Sequence, residues 1–431
     1  MLAKSVKLLL LGAGAAAVAG CSTPCGAPGR LCAPISSNTS MAPPLMVYAP
    51  APVAKPEAAE PSRVETFAVE PPGAGAAADE RRAAGNDTAA PANTTRIALL
   101  LPLRSEALGQ ASAALRDGFM AAWERDRDGI AVTVIETGDV AQDVLANYAD
   151  ALQRQDLVVG PLSRSAVGAV AASALVAKPT IALNYPEGHG GAAETALPPQ
   201  MLAMGLSIEE EARQAAQWAG TEHPNSSALV VATATPWQRR SAAAFVAQWQ
   251  RLGRPVRLVE LTAPNGYLSD PELVQLRARV QGEAPDLVFA ALGADQTRQL
   301  RAALGSELPL YGTSALNPGN GSNFPDQELD GVRLLDLPWQ IQRDHPAVMV
   351  YPRPPQTQER RPGAADLERL YALGIDAFRV ARQIARQPSG RFVLDGVTGR
   401  LAVSFGQGTA SFERVEQAAV YKNGVPQPVA P

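Results

Sequence analysis

The chain has 431 residues, 46% of them hydrophobic, with a formal net charge of −4. That length and apolar content allow two lobes or domains around a large core. A near-neutral balance without a long basic run excludes nucleic acid as a partner class. Three cysteines, all at or before Cys32, leave the later sequence no disulfide framework.

The chain opens with Lys4 and Lys7, an apolar stretch over 8–20, and the run Val18-Ala19-Gly20-Cys21. A basic start, an apolar centre and small residues before a cut predict a secretory signal over 1–20. The stretch of 13 residues is shorter than the ~20 that a membrane-spanning helix needs. Cys21 after the small residues resembles a bacterial lipobox. That resemblance implies that Cys21 is lipidated and becomes the new N-terminus, anchored to outer-membrane lipid. Several acyl chains make such an anchor firm, and Ser22 in place of Asp implies outer-membrane sorting. Cys25 and Cys32 are either a disulfide pair or two incidental thiols. Residues 33–95 are dominated by Ala, Pro, Ser and Glu, and Pro43-Pro44, Pro50, Pro52, Pro56, Pro61 and Pro71-Pro72 break any helix. Such a segment cannot bury enough apolar surface to fold. It reads as a disordered, partly polyproline tether of up to ~190 Å when fully extended.

From Arg96 strands and helices alternate. The continuous apolar run 97–101 predicts a buried parallel strand. A helix follows at 113–124 with Leu115, Phe119, Met120 and Trp123 on one face. Strands at 130–135, 157–159 and 180–183 alternate with helices at 143–154 and 163–176. The rhythm then repeats. Strands are predicted at 201–206, 228–231, 256–261, 287–291, 308–311 and 331–335. Helices are predicted at 208–219, 238–252, 271–280 and 297–304. A long helix at 366–386 and strands at 401–403, 410–412 and 418–421 close the chain, with Asn423-Gly424 as turn chemistry. Two sets of βα units predict an α/β fold of two doubly wound, Rossmann-like lobes.

The run Ile97-Ala98-Leu99-Leu100-Leu101-Pro102-Leu103 resembles the opening of type I periplasmic binding proteins. So do Arg116-Asp117-Gly118-Phe119, Val158-Val159-Gly160-Pro161-Leu162 and Ile181-Ala182-Leu183-Asn184-Tyr185. Within that superfamily the chain is most similar to the penicillin-binding protein activators of the LpoA/LppC lipoprotein family. Gly205-Leu206-Ser207 with Glu209 to Arg213, Asp330-Gly331-Val332-Arg333, Pro338-Trp339 and Leu370-Tyr371-Ala372-Leu373-Gly374-Ile375-Asp376-Ala377-Phe378 carry this similarity. It covers about 96–421. It implies two lobes joined by three crossovers, one at about 96–205 and 337–390, the other at about 206–336 and 391–431. It also implies an outer-membrane lipoprotein, facing the periplasm, that stimulates a class A penicillin-binding protein, a peptidoglycan synthase, by direct contact. Larger members carry an N-terminal helical repeat domain; here no 34-residue repeat precedes the body.

Four places are candidate ligand contacts. Ser163 and Ser165 start a helix where N–H groups and hydroxyls could hold an anion, as the same loop does for a ligand carboxylate in amino-acid-binding relatives; simple N-capping is the competing reading. Arg104 follows the first strand, at the end where ligands bind in doubly wound sheets, or is a solvated surface arginine. Asn184-Tyr185 either lines the cleft or turns the chain. Trp237 stands where relatives place an aromatic against the ligand, or serves lobe packing or a partner contact.

Enzyme chemistry has little support. His189, His223 and His345 sit beside Gly or Pro as loop residues, and Glu209-Glu210 reads as a charged helix start. No zinc-protease spacing, nucleophile elbow or phosphate loop occurs, so neither metal nor cofactor is expected. Two functions remain. One is a tethered activator of a class A penicillin-binding protein. The alternative is a tethered receptor for a small amino-acid-like or peptide ligand, which needs convergent charged groups in its cleft. Few such groups stand at the recognised positions, which favours the activator.

Overall fold

Five consecutive residues, Ile97 to Leu101, have no exposed surface, and the first lobe is built outward from them. Residues 94–188, 196–319, 326–354 and 363–430 are described in the computed structural model. The signal stretch, Cys21, Cys25, Cys32 and the Pro/Ala-rich segment to residue 93 lie outside them. The first lobe runs β1 (Thr95–Leu101), α1 (Gly109–Asp126), β2 (Ile130–Glu136), α2 (Ala141–Arg154), β3 (Leu157–Val159), α3 (Arg164–Ala172), β4 (Thr180–Ala182) and β5 (Met201–Ala203). Its sheet is parallel throughout, in the order β2-β1-β3-β4-β5. Helices cover both faces, which is why β1 and β3 are apolar without alternation.

The second lobe repeats the plan. It runs α4 (Ile208–Glu222), β6 (Ala228–Thr233), α5 (Pro236–Arg251), β7 (Val256–Leu261), α6 (Asp270–Glu283), β8 (Leu287–Ala290), α7 (Ala294–Leu304), β9 (Leu310–Gly312) and β10 (Arg333–Asp336). Phe245 stacks on Phe289 at 4.1 Å and on Trp249 at 5.4 Å, fixing α5 to the sheet.

The chain then returns to the first lobe through α8 (Pro338–Ile341), α9 (Pro346–Met349) and α10 (Ala364–Arg386). An antiparallel sheet follows, of β11 (Gly390–Asp395), β12 (Arg400–Phe405) and β13 (Ser411–Val415). Last come β14 (Gln417–Lys422) and β15 (Val425–Pro428), which extend the second lobe's sheet to the order β15-β14-β10-β9-β8-β6-β7. This corrects the expected lobe boundary. Val397, Leu401, Val403 and Phe405 share one core with Ile97, Leu99 and Phe378. Residues 391–415 therefore belong with the first lobe, because their apolar face is buried there, and only 417–428 lie in the second.

Helix α10 meets α1 at backbone distance. A methyl group on Gly118 would lie 1.9 Å from the Tyr371 carbonyl oxygen, and one on Gly374 would lie 2.0 Å from that of Leu115. Phe119 and Phe378 meet edge-to-face at 5.4 Å beside this contact. Glycine to alanine in a helix ordinarily gains ~1 kcal/mol. Here Gly374→Ala is expected to lose ~1–3 kcal/mol by forcing the helices apart, read as a lower denaturation midpoint. A midpoint at or above that of the parent would contradict the close-packing account.

Candidate functional site

The chain crosses between the lobes three times: after β5, after β10 and between β13 and β14. At the second crossing, the end of β10 places Asp336 against Arg369 of α10. Arg369 donates from Nε to Asp336 Oδ1 at 3.0 Å and from Nη2 to Oδ2 at 2.8 Å. The same Nη2 lies 2.9 Å from the Ser314 carbonyl oxygen and 2.8 Å from that of Asn317, both in the turn after β9. Asp336 also accepts from Asn317 Nδ2 and from the Leu337 N–H, each at 2.7 Å. Asp336 has no exposed surface and Arg369 has 6%. Burial works against the charged guanidinium, but the Asp336 carboxylate outweighs it and holds Arg369 above its ordinary pKa. One side chain of the first lobe thus grips three points of the second.

A second tie joins the other crossings. Arg414 of β13 donates to the Gly205 carbonyl at 2.7 Å and to Thr398 Oγ1 at 3.2 Å. Gln214 of α4 donates to the Arg414 carbonyl at 2.9 Å and accepts from the Glu416 N–H at 3.1 Å. Asp376 has no exposed surface. It accepts from the Thr398 N–H and hydroxyl at 2.8 and 2.7 Å, fixing the turn that carries Arg414's partner.

The residues expected from sequence are engaged locally. Arg104 donates to Asp143 of α2 at 2.8 Å, a pair of an exposed arginine and a half-buried aspartate. Ser163 caps α3 by accepting from the Ala166 N–H at 3.2 Å, and its Oγ is 3.5 Å from that of Ser165. Asn184 donates to the Leu162 carbonyl at 3.1 Å and accepts from the Tyr185 N–H at 2.9 Å. Asn184 and Ser163 therefore bracket one turn. Tyr185 packs where a methyl group on Gly205 would lie 3.1 Å from its ring, and burial pushes its hydroxyl pKa up. Trp237 stands half-buried in the first turn of α5, with no hydrogen bond to the others among the described residues.

The structure adds a residue that sequence reading passed over. Arg164, next to Ser163, lies 3.7 Å from Glu209 of α4, which also accepts from Arg240 of α5 at 2.7 Å. Glu209 is buried rather than a solvated helix start. Desolvation alone would raise its pKa, yet backbone N–H, Arg240 and Arg164 together bring it below the ordinary value. Arg164 of the first lobe thus faces a carboxylate of the second. Behind it, Thr233 donates to Gln238, and Gln238 donates to Gln296. His223 and His345 end or cap helices, pairing with the Tyr311 hydroxyl at 3.0 Å and the Ala347 N–H at 3.2 Å.

The family model described as "LppC putative lipoprotein" matches residues 88–424. The chain belongs to the LppC lipoprotein family. It is 27% identical over 327 residues to the penicillin-binding protein activator LpoA of Haemophilus ducreyi, covering 71% of this chain and 50% of the relative. This LppC-family chain thus spans about half the length of the curated relative it matches. The Haemophilus influenzae LpoA C-domain, described as a regulator of PBP1A, superposes with a TM-score of 0.60 at 23% identity, over 78% of this chain and 100% of that one. A Chromobacterium violaceum structure described as a "putative branched-chain amino acid ABC transporter" superposes with a TM-score of 0.59 at 37% identity, over 76% and 100%. The fold is that of the two-lobed periplasmic binding proteins.

Two further carboxyls of this LppC-family chain are enclosed where the crossings meet. Glu211 of α4 accepts from the Ser314 N–H at 2.8 Å. Burial, reinforced by Asp336 and opposed by the Ser314 N–H and Arg369, pushes its pKa up to about 7. Burial and then Glu211 push Glu416 well above its ordinary value. A raised carboxyl binds its proton more tightly in the folded state, so its contribution falls as pH rises from the unfolded value to the folded one. The window for Glu211 runs from about 4.5 to about 7. Glu211→Gln keeps an acceptor for Ser314 and removes the titration. The variant's stability relative to the parent is expected to climb across that window and level off above it, measured as denaturant midpoints at several pH values. Taking the difference cancels Asp143, Asp156 and Glu209, whose lowered values act in the opposite sense. A difference that stays flat with pH would contradict the assignment.

Proposed function

We propose that this chain is an outer-membrane lipoprotein, anchored through Cys21, that binds a class A penicillin-binding protein and stimulates peptidoglycan synthesis. It has no catalytic centre of its own on this reading; the Pro/Ala-rich segment supplies reach and the two-lobed body supplies the contact. The observation that carries the reading is the family match through residues 88–424, together with a cleft whose polar groups are engaged with one another. Domain closure around a ligand needs lobes that move about their crossings. Here Arg369 and Arg414 tie the crossings together from buried positions.

A second reading, a tethered receptor for an amino-acid-like ligand, is favoured by the 37% identity to the Chromobacterium structure. Against it stands Arg164, which faces Glu209. The two separate cleanly. On the activator reading, the full chain binds a class A synthase of the same cell and raises its cross-linking rate, while free amino acids leave the melting temperature unchanged. A ligand at a hundred times its Kd would stabilise the fold by about 2.7 kcal/mol, a shift easily seen. Absence of binding and stimulation, with a melting shift on adding amino acids, would overturn the activator in favour of the receptor. For the anchor, Cys21→Ser is expected to move the protein from the membrane pellet to the soluble periplasmic fraction; continued sedimentation with membranes would refute lipidation at Cys21.

A further inference from the structure

Strand β7 is the outer strand of the second lobe's sheet. The Ala228 N–H donates to the Pro255 carbonyl at 3.0 Å. In a parallel ladder, alternate residues face the neighbouring strand, so the backbone groups of Val256, Leu258 and Glu260 face away from β6. Natural edges are usually blunted by charge, proline or a covering element. On β7 the charges are neutralised: Arg257 pairs with Glu283 and Arg239 pairs with Glu260. Between them Leu258 is 51% exposed.

Helix α6 packs beside this edge, its Leu273 and Leu276 sharing a core with Leu261 of β7. Two hollows of about 190 and 290 Å³ lie beside this contact, the smaller reaching across to Ala228 and Leu229 of β6. The larger touches four consecutive β7 residues, 258–261, and one face of α6. Contact with consecutive strand residues means that the hollow opens on the backbone edge rather than on one side-chain face. Arg279 lines both hollows, with Glu260 and Glu272 in the larger and Glu283 in the smaller. Glu260 and Glu283 are paired with Arg239 and Arg257, and Glu272 accepts from the Thr262 N–H and hydroxyl, so Arg279 is the cation of the hollows without a carboxylate partner among the described residues. An edge with outward backbone groups, a trough beside a helix and a guanidinium without a direct carboxylate partner together define what fits. The occupant is an extended segment that adds as a strand and carries a carboxylate.

The geometry points to the β7–α6 trough as the surface that receives an extended, carboxylate-bearing segment of the partner synthase. This rests on the activator reading and names its contact face. The backbone of β7 supplies the pairing, α6 flanks the added strand, and Arg279 selects the acidic side chain.

The test uses the full chain and the purified class A synthase. Three variants are compared after circular dichroism melts verify their folding. Leu258→Pro removes an outward N–H while leaving the ladder to β6 intact. Arg279→Glu reverses the selecting charge. Arg277→Glu makes the same charge change on α6 outside the hollows. The first two are expected to weaken synthase binding about tenfold or more, and the third to leave it within about twofold, as for a rim charge. Hydrogen exchange should show the Leu258 and Glu260 amides slowed in the complex. If the parent binds and both trough variants bind as well as it does, this inference is overturned while the activator reading stands. If the parent itself fails to bind, the activator reading falls and takes the trough assignment with it. If the trough variants instead abolish a self-association seen by sedimentation, the occupant is a second copy and the assignment to the synthase is overturned.

Discussion

A guanidinium and a carboxylate, both removed from water, hold the two lobes at one angle. Taking two charges out of water is costly unless geometry and further hydrogen bonds compensate, and removing one partner leaves the other stranded at ~3–5 kcal/mol. Asp336 and Arg369 meet that condition. The pair is bidentate, and Asn317, Leu337 and Ser314 complete it. Because Asp336 ends the strand that leaves the second lobe and Arg369 lies on the helix that closes the first, opening the angle would break the four Arg369 bonds to Asp336, Ser314 and Asn317 together.

This constraint changes what the fold can do. In a receptor, free polar groups on both lips wait for a ligand and the crossings bend. Here Glu209 of one lobe faces Arg164 of the other, and Glu211 and Glu416 fill the space where the crossings meet. A body held in this way presents surfaces of fixed relative position. That suits a protein whose proposed work is contact with a larger enzyme, for which preorganised surfaces bind without the added cost of ordering.

Much of the scaffold was legible in the residues. The continuous apolar runs around Leu99 and Val230 mark buried parallel strands because burial on both faces leaves no room for alternation. Gly118 and Gly374 lie within recognisable runs, and the reason for glycine at each is physical: each admits a carbonyl of the facing helix. The ties between the lobes were not legible. Arg369 reaches Asp336 across 33 positions, and Gln214 reaches Arg414 across 200, so no local spacing announces them. One signal was available: Arg369 and Asp376 lie seven apart on an otherwise apolar helix face, charges at helical period that must find buried partners. The side on which residues 391–415 pack was not legible, because strand periodicity tells which face is buried and not against which core.

The most direct measurement of the central claim is the distance between the lobes in solution. Spin labels at Asp150→Cys on α2 and Gln281→Cys on α6, both exposed sites, in a chain whose native cysteines are replaced by serine, report it by double electron–electron resonance. The account predicts one narrow distribution that is the same alone, with free amino acids and with the synthase, and that broadens in Arg369→Met. A second, shorter distance appearing in the parent when amino acids are added would show that the lobes close on a ligand and would contradict it.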